Sequence, residues 1–199
     1  MRGTDDSSLR PAPEWDISQW FNTDESPSVA SLRGNVIVVH AFQMLCPGCV
    51  MRGIPQMQRV NEMFRGPGLK VIGLHTVFEH HAAMTPTSLE AFLHEYRITF
   101  PVGVDRPSDE PDGIPVTMRR YAMRGTPTTI LIDAAGRLRR QVFGAHEDLA
   151  LGAEIAALLI EAEQHKLQPV SRPAAASAIV GSEAACEDGE CAVPARSAG

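Results

Sequence analysis

No stretch of the chain approaches the run of roughly 20 apolar residues that a membrane-spanning helix needs. The opening residues, Met1-Arg2-Gly3-Thr4-Asp5-Asp6-Ser7-Ser8, hold two acids and none of the apolar character of a secretory signal. Basic charge is not in excess either: 18 Lys and Arg stand against 24 Asp and Glu, for a formal net charge of -6, and the cations are scattered. That argues against the positive footprint a nucleic-acid partner demands. Cysteine is scarce, at four in 199 residues, which excludes a disulfide-stapled scaffold. A chain of 21.6 kDa can bury about 70% of its unfolded surface without staples, so the thiols are free for chemistry. With no export signal in view the expected compartment is the cytoplasm, where cysteine pairs are more often catalytic or metal-binding than structural. No membrane partner is expected, and no internal repeat is visible.

Three segments emerge from composition. Residues 1–13 are polar with two prolines and read as a loose N-terminal arm, and residues 14–167 carry the apolar periodicity of one globular domain. Residues 168–199 shift to Ala, Pro and Ser, with too few large apolar side chains to offset the entropy of ordering, and read as a flexible C-terminal tail.

Within the domain, Val36 to Phe42 is near-continuously apolar, the mark of a strand buried on both faces. After Cys46-Pro47-Gly48-Cys49, apolar residues at 50, 54, 57, 60 and 64 take helical spacing, with Pro47 in the first turn. Gly66-Pro67-Gly68 stops that helix and Leu69 to Leu74 forms a second strand, giving a right-handed parallel β-α-β unit. Thr87-Ser88-Leu89-Glu90 has capping-box form ahead of a helix carrying Leu89, Phe92, Leu93 and Tyr96 on one face. Residues 101 to 115, with four prolines, read as one long surface loop. Thr128–Ile132 and Leu138–Phe143, joined through Asp133-Ala134-Ala135-Gly136, form an antiparallel hairpin, and a last helix runs from about Glu147 to Lys166. The fold class is α/β, with a central mixed β-sheet flanked by helices.

A C-x-x-C directly after a buried strand and opening a helix signals a redox dithiol. Cys46, at the helix N-terminus, lies near unpaired N–H groups and the positive end of the dipole, which favours thiolate. Cys49, one turn further in, is placed to attack a mixed disulfide on Cys46, making Cys46 the nucleophile and Cys49 the resolving thiol. The competing readings are a zinc half-site and a chance pair; zinc wants a second ligand pair at knuckle spacing.

Several segments together make the chain resemble the thioredoxin-like superfamily, and within it the redoxin or TlpA-like thiol-disulfide oxidoreductases. They are Leu32-Arg33-Gly34-Asn35-Val36, Cys46-Pro47-Gly48-Cys49, the run from Phe92 to Val102, and Arg124-Gly125-Thr126-Pro127-Thr128-Thr129-Ile130-Leu131-Ile132-Asp133. The likeness runs from about Trp15 to Lys166. It implies a thioredoxin fold, a cis-proline at Pro127 facing the sulfurs, and a Thr126 backbone that pairs with an extended substrate, with Pro47 and Gly48 on the same substrate side. Against the family pattern, His40 stands six residues before the nucleophile, where thioredoxin has a buried acid. It is read either as a proton relay to Cys49 or as a satisfied core histidine. Phe42 and Leu45 replace the usual tryptophans. Pro55 falls one residue later than the family's kink proline, beside Gly53, and predicts a local helix irregularity. The missing export signal argues against a role in periplasmic cytochrome maturation.

Weaker signals remain. His75, His80 and His81 cluster after the second strand and are read as solvated, or less readily as metal or substrate contacts. Glu79 and Glu95 are read as surface charges. Arg119, Arg120 and Arg124 steer an acidic client or merely line a solvated helix face. Cys186 and Cys191, among Glu183, Glu187, Asp188 and Glu190, form either an accessory dithiol shuttle or an idle, metal-scavenging pair. The expected activity is reduction of client protein or small-molecule disulfides, reset by an external dithiol reductant, with no cofactor and no resident metal. The alternatives are a thiol peroxidase, disfavoured by Gln43 where peroxiredoxin-like sites carry Thr, and a soft-metal module built on Cys46 and Cys49.

Overall fold

The computed structural model describes residues 9–167. Cys186, Cys191 and the rest of the expected tail lie outside the described residues. In chain order the elements are β1 (Ile17–Phe21), β2 (Val36–Phe42), a π turn (Cys49–Gly53) running into α1 (Ile54–Met63), β3 (Leu69–His75), α2 (Pro86–Glu95), β4 (Val102–Asp105), α3 (Val116–Arg120), β5 (Thr128–Ile132), β6 (Leu138–Phe143) and α4 (Asp148–Leu167). The six strands form one sheet in the order β1-β4-β3-β2-β5-β6. Strands β2, β3 and β4 are mutually parallel, and β1, β5 and β6 join antiparallel.

The period-two alternation of a strand explains how β2 organises both cores. Val36, Val38 and Phe42 face the cluster built with α1, α2 and α4, while Ile37, Val39 and Ala41 face the cluster of Trp15, Met118, Tyr121 and Met123. Every residue of β2 is buried. His40 falls in the register of Val38 and Phe42, which sends its ring toward the helix that carries the cysteines.

Three expectations are corrected, and one strand is added. The stretch 101–115 is not one loop: it opens with β4, four residues recruited by pairing to β3 and β1 rather than by intrinsic propensity. Strand β1, a short edge strand, had too few alternating residues to be read from sequence. The N-cap of helix α2 is Thr85, two residues before the expected cap at Thr87. Thr85 accepts from Ser88 N–H at 3.2 Å and Pro86 occupies the first turn, where proline is pre-organised and its lost N–H costs nothing. Finally, residues 10–13 of the expected arm are docked. Leu138 N–H donates to Arg10 O at 3.0 Å, Ala12 N–H to Gly136 O at 2.9 Å, and Tyr121 O–H to Pro13 O at 2.5 Å.

Candidate active site

The site forms where β2 ends. Buried Gln43 closes the strand against the loop after β3: its Nε2 donates to Glu79 Oε1 and its Oε1 accepts from Phe78 N–H, both at 3.3 Å. Cys46 N–H donates to Gln43 O at 3.2 Å, the helical run opens at Pro47, and Val50 N–H donates to Cys46 O at 3.1 Å. The helix irregularity expected beside Gly53 is the π turn from Cys49 to Gly53, immediately before Pro55.

This turn sets the two sulfurs in unequal surroundings. Cys46 is half-buried and Cys49 fully buried, and both are free thiols. The Cys49 thiol donates to Cys46 Sγ at 2.7 Å, and the Cys49 N–H donates to the same sulfur at 3.3 Å. Burial pushes the Cys49 thiol up to about 12, helped by that hydrogen bond and by the negative charge of Cys46. Cys46 Sγ also lies 3.6 Å from Thr126 O. The Thr126–Pro127 bond is cis. A side chain at Gly48 would begin 3.5 Å from Pro127 Cδ, so the proline ring lies against the turn between the cysteines. Gly144 N–H donates to Pro127 O at 2.8 Å, tying this loop to the end of β6. Cys46, Pro47, Gly48, Cys49, Thr126 and Pro127 are thus one neighbourhood.

His40 is 1% exposed, and neither ring nitrogen has a protein partner. Burial pushes its imidazole down to about 4, so it is neutral at physiological pH. A Cβ on Gly53 would stand 2.4 Å from His40 Nε2; only glycine leaves room for the ring under the π turn. His75 corrects the expectation of a solvated residue: it is buried against Phe42, with ring centroids 5.3 Å apart, and burial pushes it down to about 4 as well. His80 and His81 are exposed. Among the described residues no group of three or more His, Cys, Asp or Glu is arranged to hold a metal. The cations proposed to steer a client have local work. Arg119 pairs with Asp112 and Arg120 with Asp16, while Arg124 lies 5.4 Å over the Phe143 ring.

A groove of about 810 Å³ starts at Gly48 and Pro127 and runs between the cysteine-bearing helix and the segment from Gly144 to Leu149, with His40 and Thr129 lining it from the sheet. Sequence reasoning missed this second wall. Gln56 Nε2 donates to His146 O at 2.7 Å and Asp148 Oδ1 at 2.6 Å, and Arg59 pairs with Asp148 at 3.0 Å. These contacts join residues some 90 positions apart, and no local pattern announces them. Beside the site, Leu45 and Met51 are exposed, as is Leu149 on the second wall.

The model of the AhpC/TSA family matches residues 10–141. The solved structure of a thioredoxin-like superfamily protein, SPOA0173, is 61% identical with a TM-score of 0.73, covering 75% of this chain and 96% of that one. A thiol-disulfide isomerase from Corynebacterium glutamicum is 48% identical with a TM-score of 0.71, again covering 75% and 96%. Protein DipZ of Mycobacterium bovis is 29% identical over 130 residues, 64% of this chain; the match spans 17% of that relative's length.

Proposed function

This chain belongs to the AhpC/TSA family and has the thioredoxin fold, and from that premise we propose that it is a thiol-disulfide oxidoreductase that reduces client disulfides through Cys46 and Cys49. The observation that carries the reading is the inequality of the two sulfurs: one reachable and accepting two hydrogen bonds, the other buried and held protonated beside it.

The cycle follows from that inequality. The Cys46 thiolate attacks one sulfur of a client disulfide, forming a Cys46–client bond and releasing the other client sulfur as thiolate. Bonding removes the negative charge of Cys46, one of the causes that hold Cys49 protonated. Cys49 then passes its proton to the released client thiolate, directly or through solvent, and attacks Cys46 Sγ, closing the Cys46–Cys49 disulfide and releasing the second client thiolate. Two electrons pass from the dithiol to the client, and an external dithiol returns them. The Thr126 carbonyl beside Cys46 gives an extended client a backbone to pair with.

His40 does not take the Cys49 proton in the resting state. Burial holds the imidazole neutral by lowering its affinity for a proton, and holds the Cys49 thiol protonated, so the two are set against that transfer. Its role in this reading is to leave the floor of the site uncharged where thioredoxin has an acid. The peroxidase reading is weakened further by Gln43, whose amide is committed to Glu79 and Phe78. In a reducing cytoplasm, the compartment expected from sequence, the working direction is reduction of clients. Insulin reduction driven by dithiothreitol tests the proposal: the wild type accelerates it and Cys46→Ser does not. Wild-type protein no faster than buffer would overturn it.

A further inference from the structure

Two of the buried imidazoles, His40 and His146, line the groove beside the redox pair. His40 has no partner at either nitrogen; His146 is also buried, its Nε2 3.3 Å from Glu154 Oε2 and its Nδ1 without a partner. A buried nitrogen without a partner carries a free-energy cost that an entering hydrogen-bonding group relieves. The groove's volume lies within the range of about 300–1,000 Å³ typical of small-molecule sites. Its walls are tied together by the Gln56–His146, Gln56–Asp148 and Arg59–Asp148 contacts, while its other end reaches Gly48 and Pro127, beside the turn that carries the cysteines. Such a space can take a short arm that terminates inside it.

The charges narrow the arm's chemistry. Asp148 is committed to Gln56 and Arg59, but Arg52 is held only loosely by Glu147, at 3.9 Å with both side chains mostly exposed. A ligand carboxylate can take that cation, because an exposed pair of this kind has little to lose. We propose that this groove is a binding site for low-molecular-weight disulfides whose arms carry amide and carboxylate groups, with His40 and His146 contacting the amides and Arg52 the carboxylate. This rests on the exchange reading above and names a substrate class for the same sulfurs. The chemistry is unchanged: Cys46 takes one half of the small disulfide, the other half leaves as thiolate, and Cys49 releases the first half.

The test compares kcat/KM for oxidised glutathione, which has amide and carboxylate arms, with that for cystamine, which has neither. The wild type is expected to prefer oxidised glutathione by about tenfold or more. His146→Phe and Arg52→Gln should each collapse that preference by raising KM for oxidised glutathione. Alkylation of Cys46 by iodoacetamide at the wild-type rate shows that each variant retains its folded nucleophile. Arg52 is exposed, so its variant reports even where His146→Phe fails to fold. No preference in the wild type, or the same preference in Arg52→Gln, overturns the inference. If insulin is reduced without any such preference, only this inference falls; if neither insulin nor a small disulfide is reduced, the exchange reading falls with it.

Discussion

Asp105 and His40 lie in one sheet at nearly equal depth, 2% and 1% exposed, and the protein treats them in opposite ways. Asp105, at the end of β4, accepts from Thr117 N–H at 2.7 Å, Met118 N–H at 2.9 Å and Thr76 Oγ1 at 2.9 Å. It satisfies donors at the start of α3 that the helix itself leaves unpaired, and so it holds the far core together. His40, under the cysteine-bearing helix, has no such partner; its ring stacks with Phe42, and Gly53 leaves it room beside a groove. A buried polar group with every bond made belongs to the architecture. His40, left without partners, borders the groove beside the cysteine-bearing turn.

Acid separates the two residues most strongly. His40 and His75 have folded-state values near 4 against an unfolded value near 6.5, so the unfolded chain binds the extra protons below 6.5. Stability is therefore fully present above pH 6.5 and is lost as pH falls toward 4, by about 3 kcal/mol for each histidine. Urea unfolding at a series of pH values should show this loss, and His40→Leu should remove about half of it. At neutral pH the contrast reverses. Asp105→Ala should cost about 3 kcal/mol, because it strands two buried N–H groups and a hydroxyl, whereas His40→Leu should change stability by less than about 1 kcal/mol. Equal losses from the two would break the distinction.

A smaller effect tests the packing behind it. Gly53→Ala should destabilise by about 1–3 kcal/mol, since its Cβ collides with His40. On a His40→Ala background that cost should largely vanish, and a double-mutant cycle by denaturation measures the coupling. The smallest change is expected at Leu149, 91% exposed at the groove's outer wall. Leu149→Ser should leave stability within about 0.5 kcal/mol of wild type by the same method.

How much of this was legible in the chain depends on how local the cause is. Strand β2 and the Cys46–Cys49 turn were readable because continuous apolarity and a first-turn proline act within a few residues. The irregularity at Gly53 was also foreshadowed by Pro55. Strand β4 and helix α3 escaped because their order comes from neighbours: β3 and β1 pair with the strand, and Asp105 caps the helix across 12 positions. The burial of His75 is likewise set by Phe42 on the adjacent strand. His146 gave no signal at all, since its place in the groove depends on Gln56, 90 residues earlier.

In the proposed cycle Cys46 attacks and Cys49 resolves. The most direct measurement is trapping: Cys49→Ser is incubated with insulin, quenched by alkylation, and its disulfide-linked peptides are identified by mass spectrometry. The account predicts a stable adduct on Cys46 in Cys49→Ser and none in Cys46→Ser. An adduct carried by Cys49 in Cys46→Ser, or no adduct on Cys46 when Cys49 is removed, would contradict it.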